Sequence, residues 1–139
     1  FVGRDRGYRA LGFTAAGALP LQDEPVGALG AAASVADCQG GWLLVLDAHR
    51  HPQGWLSAQT AAELAGRPVT PDVLNLGGTL APESGTLRAA LDAALSSPSG
   101  RGVVVHDDGS LAGTVTASQV LERIEAERAV HPLVGEVSP

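Results

Sequence analysis

The sequence predicts an α+β fold made of two copies of one small unit, each running strand, helix, strand, strand, helix. Three observations carry this prediction. The chain matches itself at a step of about 60 residues. Short runs rich in β-branched residues alternate with segments of helical periodicity in both copies. Each closing helix is preceded by a Gly-x-hydrophobic-Ser/Thr step, Gly54 to Ser57 in the first copy and Gly113 to Thr116 in the second.

The self-match has two parts. GALPLQDEPVGALGAA from Gly17 lies over GTLAPESGTLRAALDAA from Gly78, which sets Leu19 against Leu80, Val26 against Leu87 and Ala28 against Ala89. WLLVLDAHRHPQGWLSAQTAAEL from Trp42 lies over GVVVHDDGSLAGTVTASQVLERI from Gly102, so that Gly54 faces Gly113, Ser57 faces Thr116 and Glu63 faces Glu122. A unit of about 50 residues is marginal alone, so the two copies are expected to share one core.

The second copy is the clearer text. Val73 to Leu80 reads as an extended segment ending in the turn-forming APESG. Leu87, Ala90, Leu91, Ala94 and Leu95 then recur at the spacing of an amphipathic helix. Ser96 to Gly100, SSPSG, stops it. Val103–His106 and Leu111–Val115 are strands whose Asp107–Ser110 link, DDGS, is a hairpin signal. A second helix follows, with Val120, Leu121 and Ile124 on one face and Glu122, Arg123, Glu125, Glu127 and Arg128 on the other. In the first copy the corresponding first helix is expected around Val26 to Ala36, weakened by Gly27 and Gly30 at roughly 1 kcal/mol each. Its hairpin link, Ala48 to Gln53, reads as longer than its counterpart. The resulting division is residues 1–16 as a linker, 17–66 and 78–128 as the two units, 67–77 between them, and an irregular tail at 129–139 bracketed by Pro132 and Pro139.

Composition excludes several function classes. The chain has 139 residues, 45% of them hydrophobic, enough for a packed core. Its net charge of −6 repels polyanions, and the nine basic residues are all Arg, grouped closely only at Arg4, Arg6 and Arg9. Without a Lys there is no phosphate-cradling P-loop, and no G-x-S-x-G elbow marks a serine hydrolase. Cys38 is a single cysteine, expected to be a buried, inert thiol in a reduced compartment. The chain opens at Phe1 and contains no Met, from which a piece of a longer protein is expected. No catalytic residue, no metal site and no required cofactor are expected. His49, Arg50 and His51 lack a third ligand at a useful spacing and read as a solvated link. His106, Asp107 and Asp108 read as turn chemistry, and Trp42 and Trp55 as half-buried strand aromatics.

The repeat with its closing Gly-x-hydrophobic-Ser/Thr step resembles the CBS domain: GTVTASQVL, Gly113 to Leu121, looks like the most typical segment of that family and GWLSAQTAA, Gly54 to Ala62, like a weaker version. The resemblance covers about residues 17 to 128 and implies a tandem CBS-domain pair of two β-α-β-β-α repeats packed by pseudo-two-fold symmetry. It also implies homodimerisation and adenosine-containing ligands held in the clefts. On that reading Gly54 and Gly113 let backbone approach the ligand, and Ser57 and Thr116 offer hydroxyls at a helix start. Thr79, Thr114, Leu19, Leu80 and Val104 complete the candidate site, the apolar three sandwiching a flat base. The family's ribose-binding Asp is replaced by Thr60 and Gln119, which removes that carboxylate. Thr116 with Gln119 also reads as a capping box that needs no ligand, and Ser57 as a simple cap. The segment FVGRDRGYRALGF, Phe1 to Phe13, resembles the join between ATPase and CBS pair in glycine betaine and related osmoprotectant ABC importers. That implies a regulatory sensor of an adenine nucleotide or cyclic di-AMP, permease subunits as partners through an upstream ATPase, and a cytoplasmic place at the membrane's inner face. Neither nucleic acid nor membrane insertion is expected. A ligand-free dimerisation scaffold, or a sensor attached to another protein, is the competing reading.

Overall fold

The structure is a computed structural model that describes residues 14–137, with side chains described as far as Arg128. The segment Phe1 to Phe13, expected to be a join to an upstream ATPase, lies outside the described residues. Two 3-stranded sheets carry the fold. The first holds β1 (Val26–Ala28), β2 (Trp42–Leu46) and β3 (Pro52–Ser57), followed by helix α1 (Ala58–Leu64). The second holds β4 (Leu80–Pro82), helix α2 (Leu87–Ser96), β5 (Arg101–Val105), β6 (Leu111–Thr116) and helix α3 (Ala117–Val137). In each sheet the first strand pairs parallel to the second, and the second pairs antiparallel to the third. Both hairpins shift register at the same place, between Val45 and Leu46 and between Val104 and Val105. The repeat is therefore real down to its irregularities.

The predicted hairpins and closing helices stand. The extended segment expected over Val73 to Leu80 does not, because Pro71–Val73 is a 3-10 turn and the strand is Leu80–Pro82, running into the expected turn APESG. Four further expectations change. First, Trp42 pairs with Ser57 as Arg101 pairs with Thr116, so Trp42 is equivalent to Arg101 and not to Gly102. The links 47–51 and 106–110 are then equal in length. Second, Val26 pairs with Leu44 as Leu80 pairs with Val103, so Val26, not Leu19, is the counterpart of Leu80. Third, the helix expected around Val26 to Ala36 is absent. Gly30 adopts φ +87°, outside the right-handed helical region. The backbone finds other partners there: Gly30 N–H donates to the Val69 carbonyl at 2.8 Å and Val69 N–H to the Ala31 carbonyl at 2.9 Å. Only a 3-10 turn, Val35–Asp37, remains, with the Ser34 N–H capped by the Asp37 carboxylate at 2.8 Å. Fourth, the tail is not irregular: the backbone of α3 runs on to Val137. Pro132 there gives up one i→i−4 bond without ending the helix.

Three apolar clusters hold the halves together. In the second module, Val104, Val115, Leu87, Ala90 and Val120 are joined by Ala16 and Leu19 from the N-terminal segment. On α2 Ala93 and Ala94 face inward, while Leu95 is 67% exposed, and on α3 Leu121 also lies at the surface. The first module closes its core with Leu43, Val45, Leu56, Ala61, Val69 and Cys38. The third cluster belongs to both modules: Leu44, Leu46 and Trp55 from one sheet pack with Val103 and Leu111 from the other. The shared core expected from the repeat is this seam.

Each module also lends the other an incoming segment. Gln22 bridges Thr114 at the edge of the second sheet, and Asn75 bridges Trp55 at the edge of the first, both antiparallel. These crossings explain the two motif glycines. A Cβ on Gly113 would lie 2.6 Å from Cβ of Leu21, and one on Gly54 would lie 2.8 Å from Cβ of Leu74. The close approach is by the crossing segment, not by a ligand. Gly113→Ala and Gly54→Ala are each expected to destabilise the chain by about 1–3 kcal/mol through overpacking, read from urea unfolding. The larger loss is expected at Gly54, whose φ is +150°. Unchanged midpoints would refute the role given to the crossings.

Cys38 is buried, with its Sγ 3.6 Å from the Ser34 carbonyl oxygen. Burial, and then the neighbouring Asp37 carboxylate, push its thiol pKa up. A raised pKa leaves less thiolate at any given pH, so iodoacetamide at pH 8 is expected to label the native chain at least about tenfold more slowly than the urea-unfolded chain. Equal rates would contradict the placement.

Candidate functional site

Alternation along the strands decides which side chains face the seam. In the second module Val104 and Val115 point into the helical core, so Val103, Arg101, Thr114 and Thr116 belong to the opposite face, toward the other module. Leu80, paired with Val103 and 42% exposed, extends this face. In the first module the equivalent positions are Leu44, Trp42, Trp55 and Ser57, with Val26 in the place of Leu80. The two seam-facing surfaces are thus built on one plan from unlike residues: the first carries Trp42 and Trp55, and the second Arg101, Thr114 and Thr116.

A polar network crosses the seam. Trp55 is fully buried, and its indole Nε1 donates to the Thr79 hydroxyl at 3.1 Å. That hydroxyl in turn donates to the Arg101 carbonyl at 2.9 Å. The Arg101 guanidinium lies 5.0 Å from the Trp55 ring centre, a cation–π contact. One of its terminal nitrogens donates to the Gln39 carbonyl at 3.0 Å, and the other is bonded to the Glu24 carboxylate. The second Glu24 oxygen accepts from the Thr114 hydroxyl at 2.7 Å. The Glu24 side chain is only 5% exposed, so this is a desolvated ion pair with its remaining hydrogen bonds met, the condition under which such a pair is tolerated.

The structure places the residues singled out in the sequence in different settings. Leu80, Thr114 and Thr116 share the seam-facing side of the second sheet, and Gln119 bonds to Thr116 at the helix start. Ser57 and Thr60 lie at the corresponding helix start of the first module, where the Thr60 N–H donates to the Ser57 hydroxyl at 3.0 Å and Ser57 donates to the Thr60 hydroxyl at 2.9 Å. Thr116 and Gln119 form the capping box: Thr116 N–H donates to the Gln119 side-chain oxygen at 2.8 Å, and Gln119 N–H to the Thr116 hydroxyl at 3.3 Å. Thr79 is buried and committed to Trp55 and Arg101. Leu19 and Val104 are in the helical core of the second module, where neither is free to sandwich a base. Val26, 39% exposed, and Leu80 are the apolar side chains that remain available on the first strands. Gly54 and Gly113 are covered by the crossings.

Glu24 and Arg101 were not singled out by the sequence. They are separated by 77 residues, and no local pattern links them. The only sign is that Arg101 stands where the first module has Trp42, a change of chemistry at an equivalent strand position.

The links behave as turns. His49 and His51 have ring centres 6.2 Å apart at an interplanar angle of 51°. Among the described residues no group of three or more His, Cys, Asp or Glu is placed to hold a metal ion, and no helix is long and apolar enough to cross a membrane. The backbone N–H groups of His51 and His49 hold the Asp47 carboxyl below the usual range, and the Ser110 hydroxyl does the same for Asp108. His106 Nδ1 lies 2.6 Å from the Glu83 carboxylate at the surface.

The Thr79 bridge yields a direct test of the network. Thr79→Val leaves the buried indole N–H without an acceptor and is expected to cost about 1–3 kcal/mol. Thr79→Ser keeps the hydroxyl, loses one methyl and is expected to cost about 0.8 kcal/mol. Urea unfolding that finds Thr79→Val as stable as the parent chain would remove the bridge from the account.

No protein-family model and no curated protein sequence matches the chain. Solved structures do. The CBS domain pair/ACT domain protein from Thermotoga maritima is 21% identical, with 81% of this chain and 98% of that one covered at a TM-score of 0.65. The CBS-pair protein CBSX2 from Arabidopsis thaliana is 19% identical, covering 82% and 96% at a TM-score of 0.58. Staphylococcus aureus OpuCA is 17% identical, covering 76% and 96% at a TM-score of 0.55. CBSX2 has also been solved in complex with AMP. With two repeated three-stranded sheets and helices that pack on them, this chain has the fold of a CBS-domain pair.

Proposed function

We propose that this chain is a regulatory sensor whose second groove, on the seam-facing surface of the second module, takes an adenine-containing ligand, and that it serves an osmoprotectant ABC importer as part of the ATPase subunit. The observation that carries the ligand reading is the second groove itself. An exposed apolar strand residue, Leu80, and the start of a long helix at Thr116 flank one seam-facing surface that also holds Arg101 and Thr114. Apolar contact suits a flat base, and hydroxyls with a helix start suit polar or anionic groups. The AMP complex of CBSX2 and the likeness to OpuCA support the reading, the second together with the Phe1 to Phe13 segment. The sensor would work as a homodimer in the cytoplasm, beside the permease, and ligand would bias the transporter by binding two arrangements with different affinity.

The first groove is the poorer candidate. Trp42 and Trp55 fill the positions of Arg101 and Thr114, and Ser57 and Thr60 satisfy each other.

A second reading, a ligand-free scaffold holding two ATPase subunits together, is favoured by one observation: the Ser57, Thr60, Thr116 and Gln119 side chains all bond within their own helix starts. Thermal unfolding with adenosine, AMP, ATP and cyclic di-AMP separates the two. The sensor is expected to gain about 2.7 kcal/mol from one of these at 100 times its Kd, whereas the scaffold gains nothing and still runs as a dimer in light scattering. Silence across the panel removes the ligand, and a monomer removes the scaffold.

A further inference from the structure

The second groove contains a carboxylate that the proposed function does not use. Glu24 leaves the N-terminal segment two residues after the Gln22 crossing, and its side chain is buried against the seam face of β6. Its two oxygens are taken by Arg101 and by the Thr114 hydroxyl. Arg101 is equally committed, with Glu24 and the Gln39 carbonyl on its nitrogens and Trp55 against its face. Thr114 and Thr116 lie on one face of β6 about 7 Å apart, and Arg101 is the register partner of Thr116. A phosphate brought to the helix start at Thr116 would therefore meet a cation already neutralised, with a desolvated negative charge beside it. In a low-dielectric groove like charges in proximity are strongly disfavoured.

We propose that Glu24 is the specificity determinant of the second groove: it occupies Arg101 in place of a ligand anion, so the groove favours an uncharged adenine nucleoside and takes a phosphate-bearing one only when Glu24 is displaced. This inference rests on the reading that the groove holds an adenine-containing ligand. It assigns to Glu24 a choice of charge.

The test compares adenosine with AMP by isothermal titration on the 139-residue chain and on its Glu24→Gln variant. Glutamine keeps the shape and an oxygen that accepts from Thr114 and removes the charge. The expected result is AMP affinity raised by at least about tenfold in Glu24→Gln, with adenosine changed by less than about threefold. AMP and adenosine shifting together, or neither shifting, overturns the role of Glu24 and leaves the ligand reading standing. No binding of either compound to either protein overturns both. Should Glu24→Gln fail to fold by circular dichroism, the parent chain decides: tighter binding of AMP than of adenosine refutes the proposal, and the reverse order supports it.

Discussion

Everything in this molecule depends on the mutual seam at which Leu44, Leu46 and Trp55 meet Val103 and Leu111. Neither module is large enough to bury a sufficient core by itself, since a sheet of three strands with helices on one face leaves its second face bare. Placing the two bare faces together solves that for both at once. The crossings reinforce the arrangement, because Leu21 and Gln22 complete the second sheet while Leu74 and Asn75 complete the first. Glycine at positions 54 and 113 follows from this geometry. The two modules are accordingly one folding unit, with one edge of each sheet, β6 and β3, bridged by chain that leads into the other module.

The pseudo-two-fold plan is kept by the backbone and broken by the side chains. Where the first module places Trp42 and Trp55, the second places Arg101 and Thr114. The helix missing from the first module breaks the symmetry again, leaving a cavity of about 360 Å³ beside Val26, Gly27, Ala32, Ala33 and Leu43. The first half contributes mass to the seam, above all the buried Trp55, and the second half contributes charge and hydroxyls.

The second half of the fold was legible because its signals are local and strong. The spacing of Leu87, Ala90 and Ala94 announces α2, the DDGS link announces the β5–β6 turn, and Thr116 with Gln119 announces the start of α3. The first half was less so, for physical reasons. Strand β1 is three residues long, too short to impose an alternation, so the self-match aligned Leu19 in place of Val26. The run from Gly27 to Ala36 offers few large apolar anchors, and tertiary pairing with Val69 won over its weak helical tendency. Of the candidate site, the helix starts were readable from capping chemistry. Leu19 and Val104 were misplaced because apolarity alone does not tell a groove wall from a core. The Glu24–Arg101 pair was invisible because it is made only when distant segments meet at the seam.

On the proposed sensor function, the position of that pair bears on how ligand binding would be felt beyond the second module. Glu24 belongs to the chain entering the first module, Arg101 opens the second strand of the second module, and the Gln39 carbonyl that Arg101 also holds lies just before β2. A change of partner at Arg101 would therefore alter bonds to two separate parts of the first module and the guanidinium's contact with Trp55. Close-packed interiors do not deform continuously, so such a change is transmitted as a choice between discrete arrangements. Binding in the middle of one module's core could not do this, because every contact there is internal to that module. A ligand held at the seam touches both halves, and only there does its binding energy depend on how they are placed.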